Sequence, residues 1–414
     1  MEGRLLPDPQ DYHTPINNSQ GIVVGEHNKI YQYFQLPDHA HLPRDHIKFF
    51  ATLIADKTEK FVGRQFVFDA LDHFLQQHNS GYFIIQGEPG IGKTAVLAEI
   101  VKRRGYPHHF NIASMNIRTP HQFLANACAQ IIVRYNLPYK FLPPYATDDS
   151  AFLVQCLAEA AGSAENRPVV LVIDALDEAE RQNLTGGVNP LYLPPILPQG
   201  AYIVITTRHT DDFQLQAEIQ ETIFLESGSA GNLLDIQEYI DNELKINEKL
   251  KNRLIQLNES EEGFIAKLRK KSEGNFIYLR YVLPLIGEGK FNKGTVDELP
   301  QGLKAYYRVH WNSMRAANLS EFDDLYMPIV CILAVTRVPV TEIQLQKWTL
   351  IDIKRIRLAL RQWREFLKEE SMDNEKRFRI YHLSFQDFLR EQIDLNLFHE
   401  MIARYYLEQI DSDG

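Results

Sequence analysis

Gly87-Glu88-Pro89-Gly90-Ile91-Gly92-Lys93-Thr94 is the stretch that decides the fold. It fits G-x-x-x-x-G-K-[ST], the pattern of a phosphate-binding P-loop. Gly87, Gly90 and Gly92 allow the backbone to curl so that successive N–H groups point at phosphate oxygens. Lys93 brings a positive charge to the β- and γ-phosphates, and the Thr94 hydroxyl is a Mg2+ ligand of the right type. The flanks agree. Tyr82-Phe83-Ile84-Ile85-Gln86 reads as a buried strand. Ala95-Val96-Leu97-Ala98-Glu99-Ile100-Val101 reads as a helix whose positive end faces the anion.

The other half of such a site is a carboxylate at the end of a second strand. Val169-Val170-Leu171-Val172-Ile173 is an uninterrupted aliphatic run, as in a strand buried on both faces. Asp174 closes it at the ligand-binding edge of the sheet, where it can hold the hydration shell of Mg2+. Asp177 and Glu178 follow on the exiting loop. Either can orient or deprotonate an attacking water; Glu178 is the first choice and Asp177 a close second, against the plain alternative of two acids capping the next helix. A third strand, Tyr202-Ile203-Val204-Ile205-Thr206, leads to Thr207 and Arg208. An arginine there can reach a γ-phosphate and so distinguish ATP from ADP. Phe61-Val62-Gly63-Arg64, before the first helix of this region, reads by itself as an apolar pair, a turn and an exposed arginine.

Around this centre the chain alternates strand and helix from Phe61 to about Glu226, which implies a parallel sheet covered on both faces. The expected strands are 82–86, 109–113, 168–173, 201–206 and 222–225, with helices at 95–103, 120–135 and 150–161 among them. After Ser227 the strands stop. Asn232 to Leu244 and Phe264 to Gly287 read as amphipathic helices. Further helices run from Gly302 to about Leu397, with a strand pair around Glu369 to Tyr381, the pattern of a winged helix. Residues 1–45 read as an arm or linker with a hairpin at Gly21 to Phe34. His39, His41 and His46 lack the cysteines or carboxylates that would complete a metal site.

The 414 residues, 44% hydrophobic and 24% charged, are those of a globular protein of two to four domains. A net charge of −10 argues against a protein that coats nucleic acid. Cys128, Cys156 and Cys331 form neither a metal spacing nor a disulfide framework, and no signal peptide or membrane-length apolar run is read, so a cytoplasmic location is expected.

Taken together, these blocks resemble the STAND class of P-loop NTPases and, within it, the NACHT family. Gly87 to Thr94 is similar to its Walker A motif. Asp174-Ala175-Leu176-Asp177-Glu178-Ala179 is similar to its Walker B with the extra acidic pair, although Ala175 stands where the family often has glycine. Thr206-Thr207-Arg208 resembles sensor 1. Asp235-Ile236-Gln237-Glu238-Tyr239-Ile240 resembles the first helix of the small helical domain, and Ser272 to Leu279 the Gly-Asn-Phe block that packs near the base. Leu299-Pro300-Gln301-Gly302-Leu303 resembles the approach to the winged helix, and Tyr381-His382-Leu383-Ser384-Phe385 its His-x-Ser-Phe block. Phe276 departs from the proline of NB-ARC relatives.

The resemblance implies an α/β P-loop NTPase domain (46–228), a helical domain (229–298), a winged-helix domain (299–398) and the start of a helical extension (399–414). It implies that ATP or ADP is held by Val62, Gly63, Arg64, Gly87, Glu88, Pro89, Gly90, Ile91, Gly92, Lys93, Thr94, Ala95, Arg208, Asn275, Phe276 and His382. Thr94 and Asp174 then hold Mg2+, and His382 bonds the β-phosphate of ADP. The implied function is a signal-transduction switch with slow ATP hydrolysis, closed with ADP and self-oligomerising with ATP, in bacterial signalling, anti-phage defence or programmed cell death. Effector and sensor regions of a longer parent protein are the expected partners. The alternatives are a DNA-binding STAND regulator, for which the basic segment 351–366 is the candidate, and an AAA+-like motor. The expectation for 351–366 is a helix packed within the closed switch, with nucleic acid not a partner.

Overall fold

The computed structural model describes residues 42–165, 167–180, 189–208, 215–289, 296–372 and 375–412. The expected hairpin at Gly21 to Phe34, with His39 and His41, lies outside them. His46 closes a short 3-10 turn, Pro43–His46.

The first half alternates helices and strands: α1 (Ala51–Thr58), α2 (Gln65–Gln77), β1 (Gly81–Gly87), α3 (Lys93–Arg104), β2 (His108–Phe110), α4 (Pro120–Tyr135), α5 (Ala151–Ser163), β3 (Val169–Asp174), β4 (Ala201–Thr207) and β5 (Gln220–Leu225). The five strands form one parallel sheet in the order β2-β3-β4-β1-β5. Alternate residues feed opposite faces, as the pleat requires. Tyr82, Ile84, Leu171, Ile173, Ile203 and Ile205 join a core with α4 and α5. Phe83, Ile85, Val170, Val172 and Val204 join a second core with α2 and α3. The sheet is therefore covered on both faces, and its aliphatic runs are buried throughout.

Local signals place the helix ends. Thr119 and Gln122 form a reciprocal capping box at the start of α4, with Pro120 in the first turn. Helix α3 ends in Lys102, Arg103 and Arg104 before Gly105 at φ 63°, a basic last turn and a left-handed stop. The expected strand 109–113 is shorter than read, because Ala113–Met115 turns into a 3-10 helix after Ile112. Cys128 and Cys156, distant in sequence, are free thiols buried between α4 and α5; hydrogen bonding to Cys156, then burial, pushes the Cys128 thiol up.

The second half begins with α6 (Ala230–Ile246), α7 (Glu248–Gln256), α8 (Glu261–Lys271) and α9 (Phe276–Gly287). It continues with α10 (Leu303–Ala317), α11 (Leu319–Glu321), a π-turn at Phe322–Tyr326 and α12 (Met327–Val335). Then come β6 (Val340–Thr341), α13 (Glu342–Thr349), α14 (Ile353–Gln362), β7 (Leu367–Met372), β8 (Glu375–Ile380), α15 (Leu383–Gln392) and α16 (Asn396–Ser412). β6, β8 and β7 make a small antiparallel sheet. One apolar cluster runs from Ile236 in α6 to Phe398 in α16, so the helices after β5 share a continuous core. Tyr281 of α9 is its bridge, packing on Tyr306, Tyr307 and Phe366 at ring distances of 5.7, 6.0 and 5.3 Å.

Helix α14, the segment read as a helix with solvated charges, packs by one face only. It buries Ile356, Ala359 and Leu360 in the shared core and leaves Lys354, Arg355, Arg357 and Arg361 exposed. No helix among the described residues is long and apolar enough to cross a membrane.

Candidate nucleotide site

The P-loop joins β1 to α3 at the C-terminal edge of the sheet. Gly90 and Gly92 take φ of 84° and 102°, conformations that an L side chain resists. Gly87 is needed for a different reason: a Cβ there would lie 2.9 Å from the Leu225 carbonyl oxygen of β5. α3 carries no side-chain cap at Gly92, and the N–H groups of its first turn have no intrahelical acceptor, which is the donor set an anion needs. Lys93 folds across the loop, donating to the carbonyls of Gly87 at 2.6 Å and Glu88 at 3.1 Å.

β4 lies between the P-loop strand and the acidic strand. Asp174 thus faces the P-loop across β4 rather than from the neighbouring strand, and β4 supplies its support. The Thr206 hydroxyl donates to Asp174 Oδ1 at 2.5 Å and accepts from the Ala175 N–H at 2.8 Å. Burial pushes the Asp174 carboxyl up, against the hydrogen bonds of Thr206 and Thr94. Ala175 holds φ 52°, so the turn after the strand keeps a left-handed residue without glycine.

The acidic pair forms a 3-10 turn, Leu176–Glu178. Asp177 Oδ2 pairs with Arg208 Nε at 2.9 Å, while its buried Oδ1 has no hydrogen-bond partner among the described residues. Glu178 accepts from the Ala113 N–H at 2.9 Å, and burial, then the charges of Asp177 and Asp174, raise it to about 8. In this arrangement Glu178 is mostly protonated at neutral pH. Asn111, which no sequence motif singles out, directly follows β2 here. Its Nδ2 donates to the Asp174 carbonyl, and its buried Oδ1 has no partner among the described residues. A polar residue directly after a strand is the signal that would have found it.

Two further segments complete the cavity of about 620 Å³. The first is the α6–α9 region, which grips the P-loop from behind. Arg64, expected to be exposed, is 2% exposed. Its NH2 donates to the Ile91 carbonyl at 2.5 Å and to Asn232 Oδ1 at 2.7 Å, and its NH1 lies 3.4 Å from Asp235. Burial lowers it to about 10, with Asp235 opposing. A Cβ on Gly63 would lie 1.9 Å from Asp235 Oδ1, so only glycine fits. Asn275 caps α9 and donates to the Pro89 carbonyl at 3.0 Å, and the Phe276 N–H donates to the Gly90 carbonyl at 3.1 Å.

The second is the α15 region. His382 caps α15: its Nδ1 accepts from the Ser384 N–H at 3.2 Å and lies 2.7 Å from the Ser384 hydroxyl, itself 2.9 Å from the Tyr307 hydroxyl. An Nδ1 that accepts an N–H leaves the ring proton on Nε2, a donor available to an anion. Burial, then the charges of Lys57, Arg208, Lys93 and Arg280, lower His382 to about 3, so the ring is neutral. Arg208, which also meets Asp387 of α15 at 2.7 Å, connects both sides.

Of the residues expected to bind nucleotide, Val62, Arg64, Pro89, Gly90, Gly92, Lys93, Thr94, Ala95, Arg208, Phe276 and His382 line the cavity, together with Asp174, Asp177 and Glu178. Gly63, Gly87, Glu88, Ile91 and Asn275 do not. Gly63, Ile91 and Asn275 instead shape the loop through the contacts above.

Residues 60–185 match the family model described as an AAA ATPase domain. No protein of curated function matches the chain. Among solved structures, it is similar to a Signal Transduction ATPase with Numerous Domains (STAND) protein with a tetratricopeptide repeat sensor from Pyrococcus horikoshii. The identity is 16% and the TM-score 0.47, over 84% of this chain and 45% of that one. It is also similar to RuvB mutants of Thermotoga maritima. One has 11% identity and TM-score 0.32 over 81% of this chain and 98% of that one; another has 12% and 0.30 over 80% and 96%. The parallel sheet, the P-loop between β1 and α3 and the acidic end of β3 make this part of the chain an ATP-binding P-loop NTPase domain.

Proposed function

We propose that the chain is a STAND-class nucleotide switch of the NACHT kind, closed with ADP and released towards an oligomer by ATP. The observation that carries the reading is that Lys93, Arg208 and His382, from three separate segments, line one cavity. α6–α9 is then the small helical domain. α13, α14 and the β7–β8 hairpin are the winged helix, joined by the three-residue turn Leu350 to Asp352. Neutral His382 offers Nε2–H to a β-phosphate only while α15 is docked, so a diphosphate favours the docked state.

Hydrolysis in this state is slow. Asp177 is tied to Arg208, and Glu178, mostly protonated at neutral pH, is a poor base until nearby charge changes. The residues fit Mg2+ as a partner of bound phosphate: among the described residues no cluster of three or more ligating side chains could hold a metal alone, and Mg2+ typically uses one or two carboxylates with phosphate oxygens. Thr94 and Asp174 would hold it, and bound there it neutralises charge on the phosphates. The test is the nucleotide carried by purified protein. ADP retained by a monomer, and lost from His382→Ala, supports the switch. Protein that exchanges freely and turns ATP over rapidly supports a motor instead.

The exposed face of α14 favours one second reading, contact with duplex nucleic acid. Among the described residues Lys354, Arg355 and Arg361 on that face make no ion pair, while Arg357 meets Glu342 at 2.8 Å. Phosphate contacts by these cations would give duplex binding that falls steeply with salt. No binding at low salt removes the reading.

A further inference from the structure

We infer that Asp387 is the residue that sets the preference of the closed site for diphosphate over triphosphate, by competing with a γ-phosphate for Arg208. The inference rests on the reading of the cavity as a nucleotide site. Arg208 follows β4 and presents Nε to Asp177 at 2.9 Å and NH1 to Asp387 at 2.7 Å. Its backbone is held as well, since Gln86 of β1 donates to the Arg208 carbonyl at 3.1 Å. The guanidinium therefore stands at a fixed place on the sheet edge with two of its faces occupied by carboxylates.

The two carboxylates are not equivalent. The Asp177 side chain is 13% exposed and belongs to the same sheet edge as Arg208, so the two stay together whatever α15 does. The Asp387 side chain is 37% exposed, comes from α15, and has a second partner in Arg390 at 3.1 Å. Asp387 can leave Arg208 without leaving a buried charge unpaired, because Arg390 and solvent remain. A γ-phosphate drawn to Arg208 meets a guanidinium whose Nε and NH1 are already engaged, and it brings negative charge against Asp387. Triphosphate binding and the docking of α15 are then mutually unfavourable, and the coupling is reciprocal: whatever α15 costs ATP, ATP costs α15. A diphosphate makes no claim on Arg208. His382 at the cap of α15 and Asp387 within it thus act in the same sense, the first favouring a shorter phosphate chain by bonding it and the second opposing a longer one by charge.

The experiment measures ATP and ADP affinities of the purified full chain with Mg2+ present, for wild type, Asp387→Asn, Asp387→Glu and Arg208→Ala. Coupling of this kind is typically worth 5- to 150-fold, and Asp387→Asn is expected to tighten ATP roughly tenfold while moving ADP by less than about twofold. Asp387→Glu, which keeps the charge, should retain the wild-type ratio. In the Arg208→Ala background Asp387→Asn should leave the ratio of affinities unchanged, since the competitor then has nothing to compete for. If wild type binds nucleotide and Asp387→Asn leaves the ratio as it was, or shifts both ligands equally, the inference is overturned and the nucleotide site stands. If wild type binds neither nucleotide and Lys93→Ala changes nothing, the nucleotide reading itself has failed.

Discussion

Two seams close the same cavity, and they are built differently. Between the P-loop and α6–α9 the contacts are polar and dry. Arg64 and Asn232 are 2% and 0% exposed, and Arg64, Asn232, Asp235 and Asn275 together hold the backbone of Ile91, Gly274 and Pro89. Between the sheet edge with α1 and the β8–α15 region two contacts are partly open to water, Arg208 to Asp387 and Lys57 to the Tyr381 hydroxyl at 3.1 Å, beside the buried Arg379, which reaches Ser114 at 3.1 Å. A buried charge whose partner leaves is left in a medium that penalises it, whereas a half-exposed one is rescued by solvent. The first seam therefore behaves as part of the P-loop, and the second as a surface that can part.

The sharpest way to break this contrast is Asp235→Ala. It removes the only carboxylate that meets the Arg64 guanidinium among the described residues, and leaves that buried charge unpaired. Loss of one partner of a buried pair costs about 3–5 kcal/mol. Chemical denaturation should show a loss of this size, with nucleotide affinity falling as the P-loop loosens. A loss below about 1 kcal/mol would mean that the helical seam is no firmer than the other.

How much of this could be read from the sequence follows the same division. The P-loop, β3 with Asp174, and β4 with Arg208 were legible because each is a short contiguous pattern whose period or spacing carries its physics. Sheet order was not, and with it went the insertion of β4 beside the P-loop and the Thr206–Asp174 bond, since pairing across a sheet depends on contacts distant in sequence. Arg64 was misread as exposed for the same reason: nothing near Gly63 announces Asp235, over 170 positions later, and arginine is seldom buried without a partner. Asn275 was placed near the base by resemblance, yet its amide is used on the Pro89 carbonyl. Asp387 carried no signal at all, because an acid on an exposed helical turn looks like any solvated charge. Helices α1 and α7 were missed too; α7 is so polar around a narrow apolar stripe that only its packing on α9 explains it.

A smaller effect is expected from acid, and it should fall on the second seam. His382 has a folded pKa of about 3 against 6.5 in a free chain. The sign follows: a depressed pKa means that the folded state excludes the proton. The stability that neutral His382 contributes is complete above pH 6.5 and is lost as pH falls towards 3. At pH 5 the linkage amounts to at most about 2 kcal/mol. His382→Asn keeps a capping side chain for α15 but does not titrate. Wild type should lose stability relative to this variant between pH 7.5 and pH 5, with the α15 region opening first by hydrogen exchange. Parallel pH profiles for the two proteins would remove His382 from the seam's acid response.

The smallest effect separates a seam that parts from one that merely looks thin. Lys57 lies on α1, donates to the Tyr381 hydroxyl and sits 4.7 Å from the centre of that ring, with its side chain 21% exposed. Arg280 stacks on the same ring at 4.5 Å and meets Asp56 of α1 at 3.3 Å, so Tyr381 keeps a cationic partner when Lys57 is gone. Lys57→Met preserves the apolar stem and removes the charge. An exposed cation–ring contact is worth about 0.5–1 kcal/mol, and the remaining partner should hold the loss to the lower end of that range. If instead Lys57→Met costs as much as Asp235→Ala, the β8–α15 seam is as integral to the fold as the helical one. Release of α15 could not then be the step of the proposed switch, whose moving element would have to be sought among α6–α9.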